Sequence, residues 1–228
     1  MIIIIGDSWG VGEWGQSCEL NGPGIGQYLM LHDEVINLSV GNGSNTQSLD
    51  RLKKLLAKFS PDQYDTIYWL ISCPTRCVGA KDFVSLTTDC LTDTATQLLN
   101  NCLQSANDLA KTFDIKIKLI GGLCDLNSVD VTPHTNLEIV VPSWGQLLDP
   151  DYSTCLITDN WIEIGQIVKK ENPKLLEEWN LVADKISKKH QSWQELKIQY
   201  FGTDGSHPDR RGHLVLRNYL YPQWAFKY

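Results

Sequence analysis

The chain has 228 residues, with 20 Lys+Arg against 27 Asp+Glu for a net charge of −7, and 42% of it is hydrophobic, the composition of a globular protein whose core needs no staples. The acidic balance excludes a protein that grips nucleic acid through clustered Lys and Arg. No apolar run approaches the roughly 18 residues that span a bilayer, so membrane insertion is excluded as well.

The first apolar run, Ile2–Ile5, is β-branched and stops at Gly6, which predicts a buried parallel strand. It lacks the basic flank and the length of a signal peptide, so the chain is expected to work in the cytoplasm or to be assembled there into a larger particle. Comparable runs at 34–38, 66–72, 115–120 and 196–201 predict four more strands. Between them, Leu49, Leu52, Leu55, Leu56 and Phe59 recur at helical spacing over 46–59, and helices are also predicted over 88–113 and 173–193. Strand, helix, strand in repetition predicts the α/β class: one domain, a three-layer α/β/α sandwich around a mostly parallel sheet. The stretch 123–172 breaks this rhythm with Pro133, Pro142 and Pro150 and one short strand-like run, Leu137–Val141; it is expected to be a long insertion over the sheet edge. The basic run at 185–189 reads as a solvated helix face.

Seven cysteines, an odd number scattered along the chain, read as reduced thiols. Cys73 and Cys77 have no second Cys/His pair at zinc-site spacing, and Asp7 has no acidic neighbours that would make it a metal ligand. Neither a metal nor another cofactor is expected.

In an open α/β sheet the chemistry gathers just beyond the carboxyl ends of the strands. There the sequence places Gly6-Asp7-Ser8-Trp9-Gly10, then Ser39 to Asn45 with Gly41, Asn42 and Gly43, then Pro74-Thr75-Arg76, and finally Asp204-Gly205-Ser206-His207-Pro208. A hydroxyl, amide donors, a carboxylate and an imidazole are the parts that nucleophilic acyl transfer uses. Ser8 is the candidate nucleophile, His207 the base, and Asp204, three residues earlier, the acid that orients it. Gly6-Asp7-Ser8-Trp9-Gly10 also fits the G-x-S-x-G nucleophile elbow, but that elbow normally follows several strands, whereas Ser8 follows the first.

Gly6-Asp7-Ser8 near one end with Asp204-x-x-His207-Pro208 near the other resembles the SGNH (GDSL-like) hydrolase superfamily. The resemblance implies a five-stranded parallel sheet in the flavodoxin-like order 2-1-3-4-5 and a Ser-His-Asp triad of Ser8, His207 and Asp204. It further implies an oxyanion hole formed by the Ser8 amide and a glycine amide of the second block. Counted from Asn37 without a gap, the family glycine falls on Asn42, so Gly43 or Gly41 must serve. The family's third block supplies an Asn side chain, but here the strand is followed by Ser72-Cys73-Pro74-Thr75-Arg76, leaving Thr75 as a substitute donor.

Trp9, Asn42, Asn45 and Arg76 are the candidate substrate-binding residues, Trp9 because it directly follows the nucleophile. The expected activity is hydrolysis of a carboxylic ester, an O-acetylated carbohydrate or another short acyl ester. The missing Asn keeps open a non-catalytic carbohydrate-binding or structural protein on the same fold, and the same triad would equally serve an acyltransferase.

Overall fold

A computed structural model describes residues 1–15, 19–202 and 206–224 of the chain. β1 (Ile2–Ile5) is four isoleucines, each at most 1% exposed, as expected of a strand covered on both faces. Next come α1 (Ser8–Val11), an antiparallel ribbon of β2 (Gly12–Trp14) and β3 (Leu20–Pro23), then α2 (Ile25–Leu29), β4 (Val35–Asn37) and α3 (Asn45–Leu56). β5 (Thr66–Ile71), α4 (Ala80–Leu86), α5 (Leu91–Phe113) and β6 (Ile117–Gly121) follow. Then come β7 (Leu137–Val141), α6 (Trp144–Leu148), α7 (Trp161–Glu171), α8 (Leu176–Tyr200) and α9 (Arg210–Leu220).

Five of these strands form one parallel sheet in the order β4-β1-β5-β6-β7, which is 2-1-3-4-5 when the sheet strands alone are numbered. Because side chains alternate along a strand, Ile3 and Ile5 enter one core with Leu52 of α3 and Leu103 and Ala106 of α5. Ile2 and Ile4 enter the opposite core with Leu29 of α2, Trp193 and Leu196 of α8 and Leu216 of α9. The result is the expected three-layer α/β/α arrangement. A third cluster joins Phe83 of α4, Ile164 and Val168 of α7, and Trp179 and Ile186 of α8.

The identity of the fifth strand differs from the sequence expectation. Residues 196–200 are the last turns of α8, and the fifth strand is β7, paired in parallel with β6. The run at 196–201 alternates as a strand would, but Trp193 and Leu196, three apart, also lie on one helical face and pack together in the core. In a run so short, tertiary packing decides. The stretch 123–172 is accordingly part of the framework, since it supplies β7, α6 and α7 rather than an irregular cover.

The basic run in α8 also departs from expectation, because Lys189 is fully buried. Its ammonium forms an ion pair with Asp125 and donates to the carbonyl of Leu123 at 2.8 Å. It also lies 5.6 Å from the Trp193 ring and 5.8 Å from the Tyr152 ring, within cation–π range. The Asp125 carboxylate accepts in addition from Ser143 Oγ at 2.6 Å and from the Cys155 amide at 2.8 Å. One satisfied buried pair thereby ties α8 to the loops that follow β6 and β7 and to the segment before α7. Lys189→Met leaves Asp125 as a buried charge without its counterion, so the urea-unfolding midpoint at pH 7 is expected to fall by the equivalent of about 3–5 kcal/mol.

Candidate active site

The turn that presents Ser8 begins at Gly6, whose φ of +155° and contact with β5 both require a glycine. A Cβ at Gly6 would lie 2.9 Å from the Cβ and the carbonyl oxygen of Leu70. Asp7 then caps α1 by accepting the Trp9 amide at 3.0 Å, making Ser8 the first residue of the helix. First-turn amides have no acceptor within a helix, and among the described residues no carbonyl accepts from the Ser8 N–H. Ser8 is 6% exposed.

His207 reaches this turn from the other end of the chain. Its Nε2 lies 2.8 Å from Ser8 Oγ, and its Nδ1 lies 3.2 Å from Ser206 Oγ. The loop carrying His207 is pinned at its base: Phe201 and Pro208 form an isolated β-bridge, Gly202 N–H donates to the His207 carbonyl at 2.8 Å, and Asp209 N–H donates to the Tyr200 carbonyl at 2.7 Å. Asp209 then caps α9 by accepting from the amides of Arg211 and Gly212. Asp204 lies outside the described residues.

Trp14 completes the cluster, a role that sequence reading did not assign to it. Its Nε1–H donates to the Ser8 carbonyl at 2.9 Å, and its ring sits 5.5 Å from the His207 imidazole at 37°. The β2–β3 ribbon doubles back to bring it there. The only sequence signal was an aromatic residue six positions after Ser8, which by itself does not distinguish a site residue from packing.

The second block folds back onto β1 through Val40 N–H, which donates to the Gly6 carbonyl at 3.3 Å. Within it, Gly43 N–H donates to the Val40 carbonyl at 3.1 Å and the Gly43 carbonyl accepts from Arg76, so this amide is engaged in its own turn. Gly41 is exposed and lies against Trp14, whose ring edge would be 3.1 Å from a Cβ at this position. Among the described residues no backbone carbonyl accepts the amide of Gly41 or of Asn42. Asn42 is exposed at the rim in a left-handed conformation, φ +59°.

Four other residues expected at the site have different work. Trp9 is 1% exposed, edge-on to Trp144 and Phe201 at 5.6 and 5.9 Å, so it is core and lines no substrate surface. Asn45 is fully buried, with both amide atoms bonded to the Ser72 backbone at 2.8 Å, and it fastens α3 to the end of β5. Thr75 is fully buried with its hydroxyl against Cys73 Sγ at 3.1 Å. Arg76 reaches Asp7 Oδ2 and the Gly43 carbonyl at 3.4 Å and Asp159 at 3.3 Å, so its guanidinium is committed to protein partners rather than to a ligand.

Burial raises the Asp7 carboxyl above the usual carboxylate value, while Arg76 and the Trp9 amide oppose the rise. His213, fully buried against Trp144 at 5.1 Å, is held neutral by burial, which lowers it to about 4. Among the described residues no three His, Cys, Asp or Glu side chains gather as metal ligands. A cleft of about 410 Å³ lined by Asn127, Ser153, Lys185 and Lys188, among others, includes neither Ser8 nor His207. A hydroxyl hydrogen-bonded to an imidazole, beside unengaged amides, is chemically equipped to add an oxygen nucleophile to a carbonyl.

No family model matches the sequence, and no curated protein does. Among solved structures the chain is similar to TesA, at 14% identity over 97% of this chain and 96% of that one with a TM-score of 0.42. It is also similar to the lipase Lip_vut3 from a goat rumen metagenome, at 13% identity over 99% and 98% with a TM-score of 0.45.

The Asp7–Arg76 pair couples stability to pH. Arg76→Met leaves a buried carboxylate unpaired, lowering stability at pH 7 by about 3–5 kcal/mol. With its folded pKa raised further above the unfolded value, Asp7 takes up a proton in the native state first as the pH falls, so the native state regains stability as pH drops through that pKa. Urea unfolding of both proteins is expected to show a smaller deficit at pH 5 than at pH 7.

Proposed function

We propose that the chain is a serine esterase of the SGNH hydrolase kind, acting on a small carboxylic ester. The observation that carries this reading is the 2.8 Å contact between Ser8 Oγ and His207 Nε2, made by residues 199 positions apart at a pinned loop and a helix start. In the proposed reaction His207 takes the Ser8 proton as Oγ attacks the ester carbonyl carbon. The Ser8 amide and the Gly41 amide receive the developing oxyanion. Asp204 holds the imidazole in its working tautomer, and Trp14 fixes the Ser8 carbonyl and covers one side of His207. Protonated His207 then gives its proton to the leaving alcohol. Water, activated by the same imidazole, releases the acid from Ser8.

A half-exposed indole beside the nucleophile favours a flat, weakly polar substrate face, which fits an O-acetylated carbohydrate or another short acyl ester. No cofactor enters this reading.

A second reading is favoured by one specific observation: with Thr75 turned into the interior and Arg76 bound to Asp7 and Asp159, nothing in the third block replaces the family's Asn donor. Loss of one such donor costs on the order of 10²–10³ in rate. A site that weak would suit a non-catalytic carbohydrate-binding protein, and a water-excluding acceptor pocket would suit an acyltransferase.

Hydrolysis of p-nitrophenyl acetate separates these readings. The wild type is expected to turn over, while Ser8→Ala and His207→Ala each lose on the order of 10³-fold or more in kcat. Equal background rates in all three proteins would favour the binding module, and acylated acceptor in place of free acid would identify a transferase. Trp14→Phe keeps a ring but loses the donor to the Ser8 carbonyl, so a fall of about tenfold in kcat is expected, the equivalent of one hydrogen bond.

A further inference from the structure

Cys77 is the last residue of the short turn Pro74–Cys77 after β5, and it is half-buried. Its Sγ lies 3.7 Å from the Sγ of Cys102, which is 9% exposed in the middle of α5. Thr46, in the first turn of α3, donates its hydroxyl to Cys77 Sγ at 3.6 Å. The sulfur therefore faces a second thiol, a hydroxyl donor and the amino end of a twelve-residue helix, a setting that favours a thiolate. We infer that Cys77 and Cys102 form a peroxide-reactive pair, with Cys77 the attacking sulfur and Cys102 the resolving one, that closes reversibly into a disulfide.

The hydrogen bond with Cys102 is the chief cause that pulls the Cys77 thiol below its usual range, with Thr46 and the Asn45 and Thr46 amides acting in the same direction against burial. Cys102, its partner in that contact, is pushed up. The other described cysteines with displaced thiols go the opposite way from Cys77: burial raises Cys124 and Cys155, and donation to Glu178 raises Cys90. Selectivity for Cys77 follows, because the thiolate is the nucleophile.

In the first step the Cys77 thiolate attacks one peroxide oxygen and the O–O bond breaks. This leaves a Cys77 sulfenic acid and a hydroxide, which takes up a proton to become water. In the second step Cys102 gives up its proton and attacks the Cys77 sulfur. The S–S bond forms, and the hydroxide expelled from Cys77 takes that proton as a second water. Two thiols lose two electrons and the peroxide gains them. A disulfide needs about 2.05 Å between the sulfurs, so the turn carrying Cys77 must close the remaining distance toward the long, core-packed α5.

The test treats the reduced full-length chain with a small excess of hydrogen peroxide, alkylates the remaining thiols and maps the digest by mass spectrometry without reduction. A linked pair of peptides carrying Cys77 and Cys102, abolished by dithiothreitol, is the expected result. In Cys102→Ser, dimedone is expected to trap a Cys77 sulfenic acid, and in Cys77→Ser, Cys102 is expected to stay alkylatable. The inference is overturned if Cys77 advances to sulfinic acid while Cys102 remains a free thiol, or if peroxide consumes other cysteines while Cys77 stays reduced. The wild type alone distinguishes these outcomes, and circular dichroism checks that each variant is folded.

Discussion

A carboxylate buried just beyond β1 needs a counterion, and much of the carboxyl rim is organised by that need. Asp7 is fully buried because β1 is an interior strand, flanked by β4 and β5, and Arg76 and Asp159 lie over the turn after it. Arg76 answers it, and the same guanidinium holds the Gly43 carbonyl and Asp159. Four separate stretches of chain are thereby fixed around the turn that presents Ser8: the turn after β1, the loop before α3, the turn after β5 and the segment leading into α7. The charge that a reading of the sequence offers to a ligand is used by the protein to hold its own loops.

The Lys189–Asp125 pair repeats the device under α8, beside Tyr152 and Trp193. Burying two charges is costly unless every lone pair and proton is met, and here the Leu123 carbonyl, Ser143 and the Cys155 amide meet them. These groups come from the loops that follow β6 and β7 and from the segment before α7, so the pair sets where those stretches lie. The two pairs together explain how long connections with many turn residues keep a defined course.

On the proposed reading the chemistry is assembled from few parts. The backbone amides of Ser8 and Gly41 and the ring of Trp14 surround the Ser8–His207 contact, and the side-chain donor that the SGNH resemblance leads one to expect has no replacement. A site of this kind relies on the rigidity of backbone donors, which require no side-chain ordering at the moment of reaction. The indole also joins three elements at once, through its hydrogen bond to Ser8, its tilt over His207 and its edge against Gly41.

Much of the fold was legible because it rests on local patterns. Isoleucines without polar interruption mark β1, and leucines at helical spacing mark α3 and α5. The strand order and the meeting of Ser8 with the His207 loop followed from the resemblance to the SGNH fold; Ser8 does follow a strand, whereas the His207 loop follows α8 and not the strand expected there. The sequence by itself thus determined the α/β/α class, which depends on periodicity and on turn residues that act within a few positions, and it named Ser8 and His207 through motifs at its two ends. Only the tertiary structure decided that 196–200 is helix and that Leu137–Val141 is the fifth strand. It alone sent Trp9, Asn45 and Thr75 into the interior while Trp14 faced the imidazole. Those outcomes depend on which partners lie across the fold, and a residue's type and neighbours in sequence carry no record of what is packed against it.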